Sequence, residues 1–223
     1  MNVLAVESST KACSVCLKAG DTVYVEFEMA PQRHANLMLP MVEKVLNQSG
    51  LTSDKIDVLA FSEGPGAFTG IRIAAGVIQG LSLGWGKPVL PVSTLEALAW
   101  QAYKETGQTE WIACLDARMK EIYVQSCHIE AGRLISTKAQ LSSQQQLLEM
   151  LKTNTIKNGV GDIEPEYPEI VSMFENWHGA YPSAEAIADI AQQRFDQAKA
   201  LDEEIPLPVY LRNNVADKPA AMK

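Results

Sequence analysis

The chain has 223 residues, 47% hydrophobic and 21% charged, with 19 Lys and Arg against 27 Asp and Glu and a formal net charge of −8. This apolar content excludes wholesale disorder. The lack of a long uncharged apolar run argues against a membrane span, and no basic stretch followed by an apolar segment opens the chain, so a cytoplasmic protein is expected. The acid excess speaks against an autonomous nucleic-acid binder, because neutralising phosphates needs clustered Lys and Arg.

Residues 2–7 form a short apolar run of the kind found in central strands, followed by the polar turn Ser8-Ser9-Thr10. Segments 12–18 and 21–29 predict two further strands joined at Gly20-Asp21, a hairpin signal. In 34–48 the period changes: Leu37, Met38, Met41, Val42, Val45 and Leu46 recur at helical spacing, with Pro40 bending or delaying the helix. A strand is expected over 56–61, a glycine-rich turn and a helix over 70–84, and a strand over 88–92. Ser93 then opens a helix with Glu96 at the spacing of a capping box. The order β-β-β-α-β-α-β-α fills about the first hundred residues.

The chain turns polar at 104–109, and a second unit follows, so sub-domains of residues 1–106 and 107–223 are expected. Strands are predicted at 111–116, 121–129 and 156–160. A Gln-rich helix is predicted at 142–153, and a helix capped by Ser183, with Glu185 in its first turn, at 183–200. A Pro-rich tail runs over 205–210. Cys13 and Cys16 spell a CxxC. In a strand, residues three apart face opposite ways, so buried reduced thiols are expected rather than a metal or redox pair.

Seven of the 14 glycines lie between 64 and 86. Gly76, Gly80 and Gly84 recur along one helical face, at a propensity cost of roughly 3 kcal/mol relative to alanine. Close packing must offset that, against either the protein's own sheet or a partner's helix. The loop Gly64-Pro65-Gly66-Ala67-Phe68-Thr69-Gly70 resembles a phosphate cradle before a helix, but it matches neither the Walker nor the dinucleotide-binding spacing. His34, His128 and His178 have no histidine partner at ligand spacing, with His178 placed in a loop. Nothing in the spacing of Ser8, Ser9, Asp116 and His34 demands a triad. Glu7 and Asp116, each ending a strand, fit a metal–phosphate pair or ordinary strand-end carboxylates.

Several motifs in order carry a family resemblance. They are Val3-Leu4-Ala5-Val6-Glu7-Ser8-Ser9-Thr10, His34 with Leu39-Pro40, and Glu63-Gly64-Pro65-Gly66-Ala67-Phe68-Thr69-Gly70-Ile71-Arg72-Ile73. Val92-Ser93-Thr94-Leu95-Glu96, Asp116-Ala117-Arg118 with Glu121-Ile122-Tyr123, and Tyr210-Leu211-Arg212-Asn213-Asn214-Val215-Ala216 extend the match. Together they resemble the TsaB (YeaZ) family. That resemblance implies an actin-like ATPase fold of the sugar kinase and Hsp70 type, with two sub-domains derived from a ββββαβα unit, the second reduced. It implies a role in making threonylcarbamoyladenosine in tRNAs that read codons beginning with A. The partners implied are a TsaD-like transferase, which carries the metal, and a TsaE-like ATPase, with ATP or ADP on those subunits.

In the catalytic relative a Val-Asn-His-x-x-x-His helix holds the metal; Thr94 and Leu98 stand at those positions here, and leucine cannot ligate. Asp116-Ala117-Arg118-Met119-Lys120 replaces the relative's Gly-Gly turn. The resemblance therefore implies a silent paralogue without cofactor or metal of its own, with Ser8, Ser9 and Thr10 a vestigial phosphate loop. Its interface with the transferase, or with a second copy in a homodimer, is expected at His34, Leu37, Met38, Met41, Val45, Ile71, Arg72, Ile73, Gly76, Val77 and Gly80. Beside it lies the glycine loop of Gly64, Gly66, Phe68, Thr69 and Gly70. tRNA is expected to bind only through the complex. The rival readings are an actin-fold phosphotransferase or ATPase using Ser8-Ser9-Thr10 and Glu7, and a glycoprotease-like metallopeptidase.

Overall fold

The computed structural model describes residues 1–212; the Asn213–Ala216 part of the last motif lies outside them. The first unit runs β1 (Asn2–Glu7), β2 (Ala12–Ala19), β3 (Thr22–Met29), α1 (His34–Ser49), β4 (Val58–Gly64), α2 (Phe68–Trp85), β5 (Val89–Ser93) and α3 (Thr94–Thr106). The second runs β6 (Glu110–Arg118), β7 (Glu121–Glu130), β8 (Arg133–Ser136), β9 (Gln140–Ser143), α4 (Gln144–Thr153), β10 (Asn158–Gly161), α5 (Pro168–Val171), β11 (Asn176–Gly179) and α6 (Ala184–Gln193).

The first sheet has the order β3-β2-β1-β4-β5, antiparallel on the β2 side of β1 and parallel on the β4 side. The second repeats it as β8-β7-β6-β10-β11 with the same directions, and β9 also pairs with β7. This duplicated topology is the actin-like ATPase fold. The second copy is reduced, its α5 being a single turn where the first unit has the 18-residue α2. A three-residue connection joins α3, which ends at Thr106, to β6, which starts at Glu110.

Alternation along β1 explains the layering. Val3 and Ala5 face one core, shared with α3 and α6, while Leu4 and Val6 face another, under α1 and α2. The last helices cross over: α6, from the second unit, packs on the first sheet, and α3 packs on β6 and β7. Cys13 and Cys16 fall into different cores, as strand geometry requires, and all four cysteines are buried free thiols. Among the described residues no helix is long and apolar enough to cross a membrane.

Some local expectations differ from the structure. Pro40 sits inside a helix that begins at His34 without delay. The strand expected at 56–61 is Val58–Gly64, because Ile56 ends a 3-10 turn. The helix expected to reach 200 stops at Gln193, and His178 lies on β11 rather than in a loop. Ser93 does occupy the N-cap of α3, but no capping box forms there. Its hydroxyl donates to Gln125 Oε1, and Glu96 takes Ser136 Oγ and both terminal nitrogens of Arg194. Both residues are thereby committed to tying the two units together. A capping box does form at Ser143 and Gln146, ahead of α4.

Candidate functional site

Acidic residues stand at or just beyond the ends of parallel strands in both sheets. Glu7 ends β1, Ser62 and Glu63 stand near the end of β4, Asp116 lies near the end of β6, and Asp162 follows β10. Glu7 is fully buried, and its Oε1 accepts from the amide and the hydroxyl of Ser9. Burial pushes its carboxyl up to about 7, against the opposing pull of the Ser62 and Ser9 hydroxyls and the Ser9 amide. Ser62 is near enough to oppose the rise, yet Ser62 Oγ and Glu7 Oε2 have no hydrogen bond of normal geometry among the described residues. Glu63 is also raised to about 7, first by burial and then by the charge of Glu96, with Arg194 opposing.

The glycine loop closes over this turn. A Cβ on Gly70 would stand 1.8 Å from the Ser8 carbonyl oxygen, and one on Gly66 would stand 2.5 Å from that of Ser9. The Ala67 amide donates to Ser9 O at 2.6 Å, and the Ser8 hydroxyl donates to Gly70 O at 2.9 Å. These glycines permit backbone-on-backbone packing. The hydroxyls of Ser8 and Ser9 and the Ser9 amide, groups of the kind that cradle a phosphate, are bonded within the protein.

The equivalent turn after β6 is shaped by residues with side chains. Arg118, Met119 and Lys120 all have positive φ, at 63°, 54° and 61°. Each such residue costs about 1 kcal/mol where glycine would cost little. Arg212 staples the turn, donating to the carbonyls of Ala117 and Arg118, to Glu121 and to Met119 Sδ. Asp116 pairs with Arg118 at 3.0 Å, and its amide donates to Asp162 Oδ1 at 3.0 Å. Asp162 is raised, chiefly by burial. Thr94 and Leu98, at the positions of the relative's metal-binding histidines, are both fully buried in the core.

The proposed partner-binding residues divide sharply. Met38, Met41, Val45 and Ile71 are buried in the chain's own core at 0–7% exposure, and so offer no surface to a second molecule. Their helical period marks the face turned towards the sheet. His34 is buried too, its Nε2 donating to Ala12 O at 3.1 Å. Arg72, Gly76 and Gly80 are exposed, while Leu37, Ile73 and Val77 are half-buried. Nothing lies within 4 Å of a Cβ built on Gly76, Gly80 or Gly84, so the glycine ridge does not pack on the protein's own sheet. Leu39 at 52% and Leu83 at 81% exposure extend this outer face.

Sequence reasoning missed the strap of residues 205–212. Val209 N donates to Glu63 O at 2.7 Å, and Gln79 Nε2 donates to Pro206 O at 2.7 Å. Arg72 donates from Nε to the Tyr210 hydroxyl at 2.8 Å and lies 3.7 Å from the Phe68 ring centroid. The sequence signals were the recurrence of Pro and large apolar residues in a tail and the Tyr210-Leu211-Arg212 motif, neither of which names a contact. The partners of the strap are about ninety to nearly one hundred and fifty residues away in the chain.

Comparison with known proteins agrees with this architecture. A model of the TsaD family, described as tRNA N6-adenosine threonylcarbamoyltransferase, matches residues 25–178. The tRNA threonylcarbamoyladenosine biosynthesis protein TsaB of Escherichia coli (strain K12) is 36% identical, over 98% of this chain and 97% of that protein. The protein of the same name from Haemophilus influenzae is 33% identical, over 98% and 96%. A Pseudomonas aeruginosa crystal structure described as an uncharacterized protein with similarity to peptidase YEAZ superposes with a TM-score of 0.85 at 32% identity. That superposition covers 95% of this chain and 99% of the other.

Proposed function

Because the chain belongs to the TsaB family of tRNA threonylcarbamoyladenosine biosynthesis proteins, we propose that it serves that pathway as a non-catalytic scaffold. In this reading it pairs with a TsaD-like transferase and activates it to modify the adenosine after the anticodon, alongside a TsaE-like ATPase. The observation that carries the reading is the packing of Gly66 and Gly70 directly onto the Ser9 and Ser8 carbonyls, with both serine hydroxyls bonded within the protein. The strained, side-chain-bearing turn after β6 and the apolar Leu98 point the same way. They also weigh against the phosphotransferase and metallopeptidase alternatives.

The pairing surface is the outer face of α1 and α2. The open glycine ridge lets a partner helix approach closely, and Leu39, Ile73, Val77 and Leu83 supply apolar contact around it. A second copy would use the same patch isologously when the transferase is absent. With a net charge of −8, the chain leaves most tRNA phosphate contacts to its partners in the cytoplasmic complex.

The test is the solution mass of the full chain, alone and mixed with a TsaD-like transferase, for the wild type and Gly80→Arg. The substitution faces open space, so the fold should persist. A homodimer that gives way to a heterodimer, with both lost in the variant, supports the scaffold. A wild-type monomer indifferent to the transferase overturns it, as does ATP hydrolysis by the isolated chain.

A further inference from the structure

β3 is the outer strand of the first sheet, with β2 on one side and no strand on the other among the described residues. Its eight residues pair with β2 without a bulge and include no Pro and no Lys. Those are the usual devices by which proteins discourage further pairing at an edge. Towards α1 the strand is finished: Glu26 accepts from Lys44 and Gln48, and Glu28 accepts from Arg33. On the opposite face Val25, Phe27 and Met29 are 43%, 48% and 45% exposed. A long, regular edge without bulge, proline or lysine therefore carries a stripe of large apolar side chains standing in water.

A cavity of about 540 Å³ opens beside the stripe, walled by Val25, Phe27, Trp100 and Tyr181 and bounded by α3 and the start of α6. Most of its charges are already matched. Asp189 holds Lys18, the Trp100 indole N–H at 3.0 Å and Lys104 at 3.8 Å. Glu105 faces His178 Nε2 at 2.8 Å. Two groups are left over. Glu185 makes no ion pair among the described residues, and Gln101 Oε1 is buried without a hydrogen-bond partner. An unpaired carboxylate, an unmet carbonyl acceptor and aromatic walls suit a positively charged donor and repel an anion.

We propose that β3 is a docking edge for an extended peptide segment of a partner protein. The segment adds a strand to the first sheet and places an arginine or lysine side chain in the cavity beside Glu185 and Gln101. Main-chain hydrogen bonds to the free edge supply affinity without regard to sequence, and the cavity supplies the selection. Alternate residues of the added strand lie over Val25, Phe27 and Met29. This surface is on the face of the sheet opposite α1 and α2, so it is independent of the pairing proposed above and open at the same time.

The test uses the full chain, isotopically labelled, and a capped seven-residue peptide of alternating valine and threonine with a central arginine. A second peptide carries glutamate in place of the arginine. The arginine peptide should bind at submillimolar concentration, shift the amide resonances of residues 22–29 and slow their hydrogen exchange. The glutamate peptide should bind at least about tenfold more weakly. Glu185→Lys, on an exposed position of α6, should abolish the preference, and Val25→Lys should weaken both peptides, with α-helical circular dichroism unchanged in each variant. No binding up to about 1 mM overturns the proposal. So does equal binding of the two peptides, perturbation confined to the cavity with no protection along β3, or edge-to-edge self-association that excludes the peptides.

Discussion

Glu7→Gln should stabilise the chain at alkaline pH and change it little at acid pH. The Glu7 carboxyl ionises at about 7 in the folded chain against an ordinary value of 4.5, because burial penalises the charge. A raised value means that the group's favourable contribution is complete below about pH 4.5 and is lost as pH climbs through about 7. The difference of about 2.5 pH units corresponds to about 3 kcal/mol of instability above pH 8. Glutamine keeps the Oε1 that accepts from Ser9 and gives the unpartnered Ser62 hydroxyl a donor in place of a second acceptor. Thermal unfolding of both proteins at about pH 5 and pH 8.5 checks this, with a gain of roughly 6–12 °C expected at the higher pH for a chain of this size. Glu63, raised in the same direction, leaves a residual slope in the variant. A variant no more stable than wild type at the higher pH, or offset equally at both, would refute the reasoning.

The glycines should separate into two kinds. Gly70→Ala, whose Cβ would meet the Ser8 carbonyl oxygen at 1.8 Å, should fail to accumulate as folded protein. Gly80→Ala, facing open space, should raise stability in urea by about 1 kcal/mol through helix propensity while weakening association. Lys120→Gly should also stabilise by about 1 kcal/mol, read by the same unfolding, because it relieves a left-handed residue in the turn after β6. Arg194→Leu should cost about 3–5 kcal/mol by leaving Glu96 buried without its cation, whereas Arg194→Leu with Glu96→Leu should recover much of that loss. Burial pushes the thiols of Cys13 and Cys16 up to about 12, so at about pH 8 an aromatic disulfide reagent should label them only at the rate of unfolding.

Much of the fold was legible in the sequence because it rests on local periodicity. The alternation in 21–29, the helical spacing in 34–48 and the strand–glycine–helix succession from 56 to 92 survive to within a few residues. The divergence of Cys13 and Cys16 needed only the two-residue repeat of a strand. Period also shows which residues share a face, but not what that face meets. Met38, Met41 and Val45 were placed on one stripe correctly and assigned to the wrong neighbour, since core and interface have the same apolar pattern. The glycine ridge was equally ambiguous until the open space beside it was seen.

The sequence by itself determined the elements, the two-unit order and the family, because helical and strand periods and ordered motifs are properties of neighbouring residues. The tertiary structure alone decided that Gly66 and Gly70 seat on Ser9 and Ser8, that Ser93 and Glu96 bind across to the second unit rather than cap their own helix, and that residues 205–212 cross α2. Each of these joins groups tens to more than a hundred residues apart. Such pairings depend on where the whole chain brings its strand ends together, and no local pattern records that position.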